Sequence, residues 1–350
     1  MLDWPLVSVI ILNYNGRKNL GLILKNCIAS VLDINYPNFE VLFVDNASTD
    51  GSADFIEKVF GQNPRLRLIR NEKNFGFAEG NNVGIRNAKA EYIALLNSDT
   101  KVDPKWLKEL VTSAQQDCVG AVQSKILQMN SPGKIDCAGG FVDYYGYHFE
   151  RGRGEKASSY NRQDEIFYAK GAGVMFKREI LKKTGLFDSD IFIYFDETDL
   201  CWRIWLSGYK VLFAPKSIVY HASGSTTSAL QTQKRSYFYM KNHLLVLIKN
   251  FGLENLFTSG LATLLYETRT ASLFLARRKP LVSYAMLSAL VWNLLHLKPI
   301  WKKRQLVQAL REVSDDFIKK KMLPPCPPFP LYLVFSRSRY LKRQILSGKE

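Results

Sequence analysis

The sequence predicts an α/β fold in its first two-thirds and a basic, mainly helical region after it. Three observations carry that expectation. Short apolar runs alternate with helical patterns between residues 7 and 96, as parallel strands joined by crossover helices do. Each run ends in a cluster rich in Asn, Asp, Ser or Gly. Charge and texture both change near residue 231, where residues 231–350 hold 21 Lys/Arg against 6 Asp/Glu and the first 230 hold 27 against 26.

The strands are expected at VSVIIL (7–12), EVLFV (40–44), LRLI (66–69) and YIALL (92–96), with helices near 17–32, 52–60 and 79–88. The strands are aliphatic or β-branched and short, which suits a sheet buried on both faces. Behind them come NYNG, DNASTDG, NEKNFG and NSDT. Any one of these is an ordinary turn, but four in succession at strand ends define a single crevice, because open α/β sheets bind ligands at their carboxyl edge. This places Asn13, Asn15, Asp45, Asn74, Gly76, Asn97 and Asp99 around it.

Composition narrows the function. With 47% hydrophobic and 13% aromatic residues over 350 positions, the chain can bury a sizeable core. Five cysteines without a CxxC pair suggest neither a disulfide framework nor a zinc site, and a reducing compartment is expected. MLDWPLVSVIILNYNG lacks a basic leader and a small-residue cleavage site, so it reads as a first strand. The absence of GxGxxG and GxxxxGK[ST] argues against a standard dinucleotide fold or a P-loop. A net charge of +16 raises nucleic-acid binding, yet the basic residues of the tail flank long apolar runs, and no nucleic-acid partner is expected.

Taken together, VSVIILNYNG, VDNASTDGS, NFGFAEGNNVGI, YIALLNSDTKVDPKWL, KGAGVMFKREIL, GLFDSDIFIYFDETDLCWRIWLSGYK and VYHASGS resemble family 2 glycosyltransferases. The resemblance runs in order from residue 7 to about 225, and Asn97 at the first position of the metal motif is similar to a rhamnosyltransferase-like subgroup. It implies a GT-A nucleotide-diphospho-sugar transferase fold, a Rossmann-like mixed sheet flanked by helices, with a catalytic domain over 1–230. Its nucleotide-sugar half is expected over about 1–115 and its acceptor half over about 116–230. It further implies that Asp45 contacts the nucleotide base, that Asn97-Ser98-Asp99 with His221 holds Mg²⁺ or Mn²⁺, and that Thr226 takes the serine position of the His221 segment. Gly171, Ala172 and Gly173, together with Trp202 and Arg203, fall on the acceptor side.

The cluster YFDETDLCWR (194–203) then acquires a role, because an inverting transfer needs a base for the acceptor hydroxyl. The resemblance puts that base at Glu197, with Asp196 as the second candidate. The same residues also read as a helix start, with Asp196 as N-cap, Asp199 in the first turn, an Asp199/Arg203 pair and Gly208 closing the helix. Asp136–Asp143 and the basic stretch 150–156 receive no firm role beyond an acceptor-side loop.

Residues 231–350 carry the apolar runs 242–248, 256–266 and 281–297, flanked by clusters of Lys and Arg. The longest run has 17 residues, marginal for a span of about 30 Å. Helices lying on an anionic membrane surface fit this pattern, and a dimerising helical module is the alternative. The expected partners are a nucleotide-sugar donor, a lipid-linked or glycan acceptor, the membrane surface and a second copy of the chain. The expected location is the cytoplasmic face of the cell membrane, peripheral or interfacial and not secreted.

Overall fold

The computed structural model describes residues 4–222 and 231–324. The first half runs β1 (Val7–Asn13), α1 (Gly16–Leu20), α2 (Leu22–Leu32), β2 (Phe39–Asp45), α3 (Ser52–Phe60), β3 (Leu66–Arg70), α4 (Gly76–Asn87), β4 (Tyr92–Asn97), β5 (Thr100–Val102) and α5 (Trp106–Ala114). The helix expected over 17–32 is broken at Gly21, whose φ of 56° ends one turn and starts the next. Then follow β6 (Val119–Gln128), β7 (Ser131–Cys137), β8 (Gly140–Val142), β9 (His148–Glu150), β10 (Asp164–Glu165), β11 (Val174–Lys177), α6 (Arg178–Thr184), α7 (Asp196–Leu206) and β12 (Lys210–His221).

Strands β3, β2, β1 and β4 are parallel neighbours. β11 then inserts antiparallel between β4 and β6, and β12 runs parallel to β6. The sheet is therefore mixed, and the chain reverses its direction of winding between β1 and β4, the position at which such sheets open a crevice. Ile10 and Leu12 of β1 face α4, where Gly84 lets the helix close in: a Cβ there would lie 2.6 Å from Ile10 Cγ2.

Beyond β12 the chain forms α8 (Thr232–Asn250), α9 (Leu253–Asn255) with a π-helical turn at Leu256–Gly260, α10 (Leu261–Ala276), α11 (Pro280–Leu295), α12 (Leu297–Ala309) and α13 (Asp315–Lys321). These helices share a core with the sheet: Leu245, Leu247, Phe251, Ile300 and Val307 pack in one cluster with Trp202, Trp205 and Phe213. No single described helix is long and apolar enough to cross a membrane; α11 and α12 would reach that length together but are bent by 69°. Four cysteines, Cys27, Cys118, Cys137 and Cys201, are unpaired. Thr226 and most of the Pro-rich stretch 322–335 lie outside the described residues.

Candidate active site

The carboxyl ends of β1 to β4 open into a cavity of about 960 Å³ whose lining includes Tyr14, Asn46, Asn74, Gly76, Asn97, Ser98 and Asp99. A second chamber of about 340 Å³ shares Phe77, Asn97, Asp99 and Ile193 with it and adds Lys170, Asp196, Glu197 and His221. Asn97 and Asp99 thus stand where the two spaces meet.

Asn13, Asn15 and Asp45 do not line the large cavity. The Asp45 carboxylate, 3% exposed, accepts hydrogen bonds from Asn13 Nδ2 at 2.9 Å and from the Ser48 amide and hydroxyl. Asn15 accepts from the Thr49 amide. These residues tie the loop after β1 to the loop after β2, so their polar atoms serve the crevice's walls. Asn46, absent from the sequence-based set, does the same for the next loop by donating to Asn74 Oδ1 and the Gly76 carbonyl.

The pairing of β5 with β12 sets His221 opposite Thr100, which brings the imidazole to Asp99. His221 Nε2 lies 3.2 Å from Asp99 Oδ1, and Nδ1 lies 2.9 Å from Asp136 Oδ2. The Lys170 ammonium joins Asp136 at 3.2 Å and Glu150 at 2.8 Å. Burial opposes charge on His221, but hydrogen bonds to Asp136 and Asp99 outweigh it and raise the pKa above 6.5. Asp136 lies 34 positions from Lys170 and 85 from His221 in chain order, and no spacing in the sequence marks these contacts or that of Lys170 with Glu150.

The residues present fit a divalent ion. Asp136 takes the Nδ1 side of His221, the carboxylate–histidine arrangement that orients metal-bound imidazoles, and directs Nε2 toward the Asp99 carboxylate. Asn97 borders the same space. Among the described residues no group of three or more His, Cys, Asp or Glu is arranged to hold an ion alone; Mg²⁺ in phosphate sites is commonly held by one or two carboxylates together with phosphate oxygens and water.

Glu197 is presented by a strained turn. Tyr194 and Phe195 both adopt left-handed φ, 69° and 67°, a conformation that non-glycine residues hold only when their surroundings impose it. Here α8 imposes it: Asn242 Nδ2 donates to the Ile193 and Tyr194 carbonyls at 2.8 and 3.1 Å, and the Phe195 ring stacks on His243. Phe195, and not Asp196, is consequently the N-cap of α7. Glu197 Oε1 accepts the Gly171 amide at 2.9 Å; a Cβ on Gly171 would meet Phe77 Cζ at 2.5 Å and Glu197 Oε1 at 2.9 Å.

The two acidic neighbours differ. Asp196 is 2% exposed, and burial, followed by the adjoining Glu197 charge, pushes its carboxyl well above the ordinary value of 3.8. Burial disfavours the charged form of Asp196, whereas Glu197 is held in the chamber by the Gly171 amide and is the better placed of the two. Asp199 is the opposite case. Fully buried, it pairs with Arg203 at 2.9 Å and Lys249 at 3.0 Å and accepts from Asn250. Burial works against its charge, and the two cations overcome it and lower the pKa.

Four acceptor-side expectations are corrected. Trp202 is fully buried and packs edge-on against Phe167 and Phe251. Arg203 is spent on Asp199 and on the carbonyls of Thr184, Gly185 and Leu186. At 100° per residue, Trp202 sits about 140° around α7 from Glu197. Ala172 is 1% exposed within the sheet's core, and Gly173 is packed against Val219. Gly171 alone of that group touches the chamber's chemistry, through Glu197. The Asp199/Arg203 pair and Gly208 after the helix end, at φ 79°, are present as expected.

The mixed sheet and its flanking helices form a fold of the GT-A type. Residues 8–185 match the family model "Glycosyl transferase family 2", and the chain belongs to that family. Among sequence relatives, it is 30% identical over 253 residues to the uncharacterized protein y4gI of Sinorhizobium fredii, covering 68% of this chain and 27% of that one. It is 36% identical over 110 residues to TuaG of Bacillus subtilis, a putative teichuronic acid biosynthesis glycosyltransferase, covering 31% of this chain and 40% of that one. It is 24% identical to a poly-beta-1,6-N-acetyl-D-glucosamine synthase of Staphylococcus epidermidis, covering 65% and 52% respectively. The chain thus spans about half or less of these relatives' lengths. By fold it is similar to GalNAc-T7, solved with UDP, GalNAc and Mn²⁺, at TM-score 0.62 and 19% identity, covering 86% of this chain and 59% of that one. It is also similar to the mannosyltransferase PcManGT of Pyrobaculum calidifontis, at TM-score 0.53 and 18% identity, covering 88% and 86%.

Proposed function

We propose that the protein is an inverting glycosyltransferase that moves a sugar from a nucleotide-diphospho-sugar to a hydroxyl of a lipid-linked or polysaccharide acceptor. One observation carries this reading: Glu197, fixed by the Gly171 amide, shares a chamber with Asn97, Asp99 and His221. The donor lies along the loops after β1 to β4, with its diphosphate toward Asp99 and the anomeric carbon toward the second chamber. Glu197 takes the acceptor's proton as the acceptor oxygen bonds to the anomeric carbon. The bond from that carbon to the diphosphate breaks on the opposite side, and the nucleoside diphosphate leaves with the electron pair. Asp99, His221 and Asn97 would hold a Mg²⁺ or Mn²⁺ ion, which when bound supplies positive charge to the leaving diphosphate.

The rhamnosyltransferase-like subgroup is proposed on Asn97 alone. The basic C-terminal helices are read as attaching the enzyme to the cytoplasmic face of a membrane. Glu197→Gln should lower turnover by about 10²- to 10⁴-fold while nucleoside diphosphate affinity stays within a few-fold. Turnover measured as released nucleoside diphosphate, with calorimetry for binding, tests it; retained activity in both Glu197→Gln and Asp196→Asn would refute a carboxylate base at this turn.

A further inference from the structure

One wall of the large cavity comes from the C-terminal helices and is mainly apolar, with Gln233 and Lys234 at the start of α8 among its polar members. α8 contributes Tyr237 and Phe238, and α11 contributes Leu281, Tyr284, Ala285 and Ser288. A volume of about 960 Å³ is at the upper end for a single small-molecule site. The cavity is also continuous with the protein's outer surface, since Leu281 and Tyr284 line it and are nevertheless 64% and 74% exposed.

Outside the cavity apolar side chains are exposed along α11 and along α10. On α11, Leu287, Val291, Leu294 and Leu295 are exposed, as are Leu261, Leu265 and Leu275 on α10. Isolated exposed leucines need no explanation, but Leu287, Val291, Leu294 and Leu295 recur at helical spacing on one face of α11, and an apolar face of that kind marks a contact surface. Cations outnumber acids around it: between residues 253 and 309 there are eight Lys/Arg and two Asp/Glu, of which Arg304 and Glu267 are buried and Lys303 is paired with Asp188 and Asp190. Arg277, Arg278 and Lys279 stand exposed at the turn between α10 and α11. An apolar face edged with cations is complementary to lipid with anionic headgroups. A protein partner of opposite charge would leave the leucines unexplained.

We infer that the acceptor is an anionic lipid, a sugar joined through phosphate to a long hydrocarbon chain, and that its chain enters the cavity over Leu281, Tyr284 and Ala285 of α11. This rests on the transferase reading and deepens it by choosing the lipid-linked acceptor over a free glycan. The chain lies against α11 and the aromatic rings of α8. The phosphate meets Lys234, on the same wall. The sugar then reaches the chamber of Glu197 on the side of the anomeric carbon away from the diphosphate.

The test uses the full-length protein and alkyl phosphates below their micelle concentrations, titrated by calorimetry. Affinity should rise by at least about tenfold from ethyl to decyl phosphate, since each buried methylene strengthens binding several-fold. Ala285→Trp, which fills the entrance, and Tyr284→Asp, at a position 74% exposed, should each remove that gain. Lys234→Gln should weaken ethyl and decyl phosphate by the same factor. Equal affinity for the two lengths, or a decyl gain that survives both α11 variants, overturns the inference. So does sedimentation of the native protein as a dimer that Tyr284→Asp dissociates, which would give the face to a second copy. Nucleoside diphosphate with Mn²⁺ is titrated into the native protein in parallel. Failure there refutes the transferase reading, and the chain-length result is judged separately.

Discussion

The β1–β4 sheet and the α10–α11 hairpin both carry many leucine, isoleucine and valine residues, and they use them in opposite ways. Val7, Val9, Ile10 and Ile11 of β1 have no exposed surface at all, while Leu281, Leu294 and Leu295 of α11 are 64%, 71% and 77% exposed. The hydrophobic effect fixes the first set by removing it from water. It leaves the second set at the surface. Between them runs α8, polar at the positions that hold α7 and apolar where it meets the sheet's core. Apolar content therefore predicts burial only where the fold supplies a second layer to bury against.

The contrast can be broken most severely at the seam. Lys249 bridges Asp188 and Asp199, all three nearly or fully buried. Lys249→Met leaves both carboxylates short of a cation and should cost about 3–5 kcal/mol, read as a fall in the urea midpoint. It should also lower turnover by loosening α7, and a variant with full stability and full activity would show that α8 does not hold the catalytic helix.

Leu42→Ala in β2, at a position with no exposure, should cost about 2–5 kcal/mol. The matching change on the hairpin, Leu295→Ala, should stay within about 0.5 kcal/mol. Equal losses at the two positions would mean that the outer face is covered within the folded chain.

Acid gives a gentler test. Burial opposes charge on Asp188, and Lys249 and Lys303 more than offset it, holding the carboxyl below its ordinary value of 3.8; Asp199 is lowered in the same way. A carboxyl depressed in the folded state contributes stability that is complete above pH 3.8 and fades as pH falls through the folded value. Thermal midpoints should therefore drop below about pH 4, and the drop should shrink in Lys249→Met. Asp196 works the other way: its raised pKa means that its share of stability is present at low pH and is lost as pH rises through the folded value. Asp196→Asn, which keeps the shape without the proton, should flatten the neutral side of the same profile.

The smallest effect expected is at the metal motif. Asp99→Ala should weaken nucleoside diphosphate binding in Mn²⁺ and change little with a chelator present, because its contribution passes through the ion. Binding that is equally weakened with and without metal would place Asp99 directly on the nucleotide.

Much of this was legible in the chain itself. Aliphatic runs followed by Asn/Asp/Gly clusters announced β1 to β4 and the crevice at their ends, because a strand buried on both faces has no polar periodicity to obscure it. The spacing of Asp199 and Arg203 announced their pair, because four residues make one helical turn. Tertiary structure decided what is read across distance or by orientation. Local pattern does not say which side of α7 faces the chamber, since apolar and acidic residues alternate around it; packing against Phe167 and Phe251 turned Trp202 inward and left Glu197 in the cleft. Nor does it show that Asn242 clamps Tyr194 from 48 residues away, or that Asp136 meets His221 across 85. Those contacts form only when separate elements dock, and docking is set by the summed burial of many side chains, which no window of neighbouring residues contains.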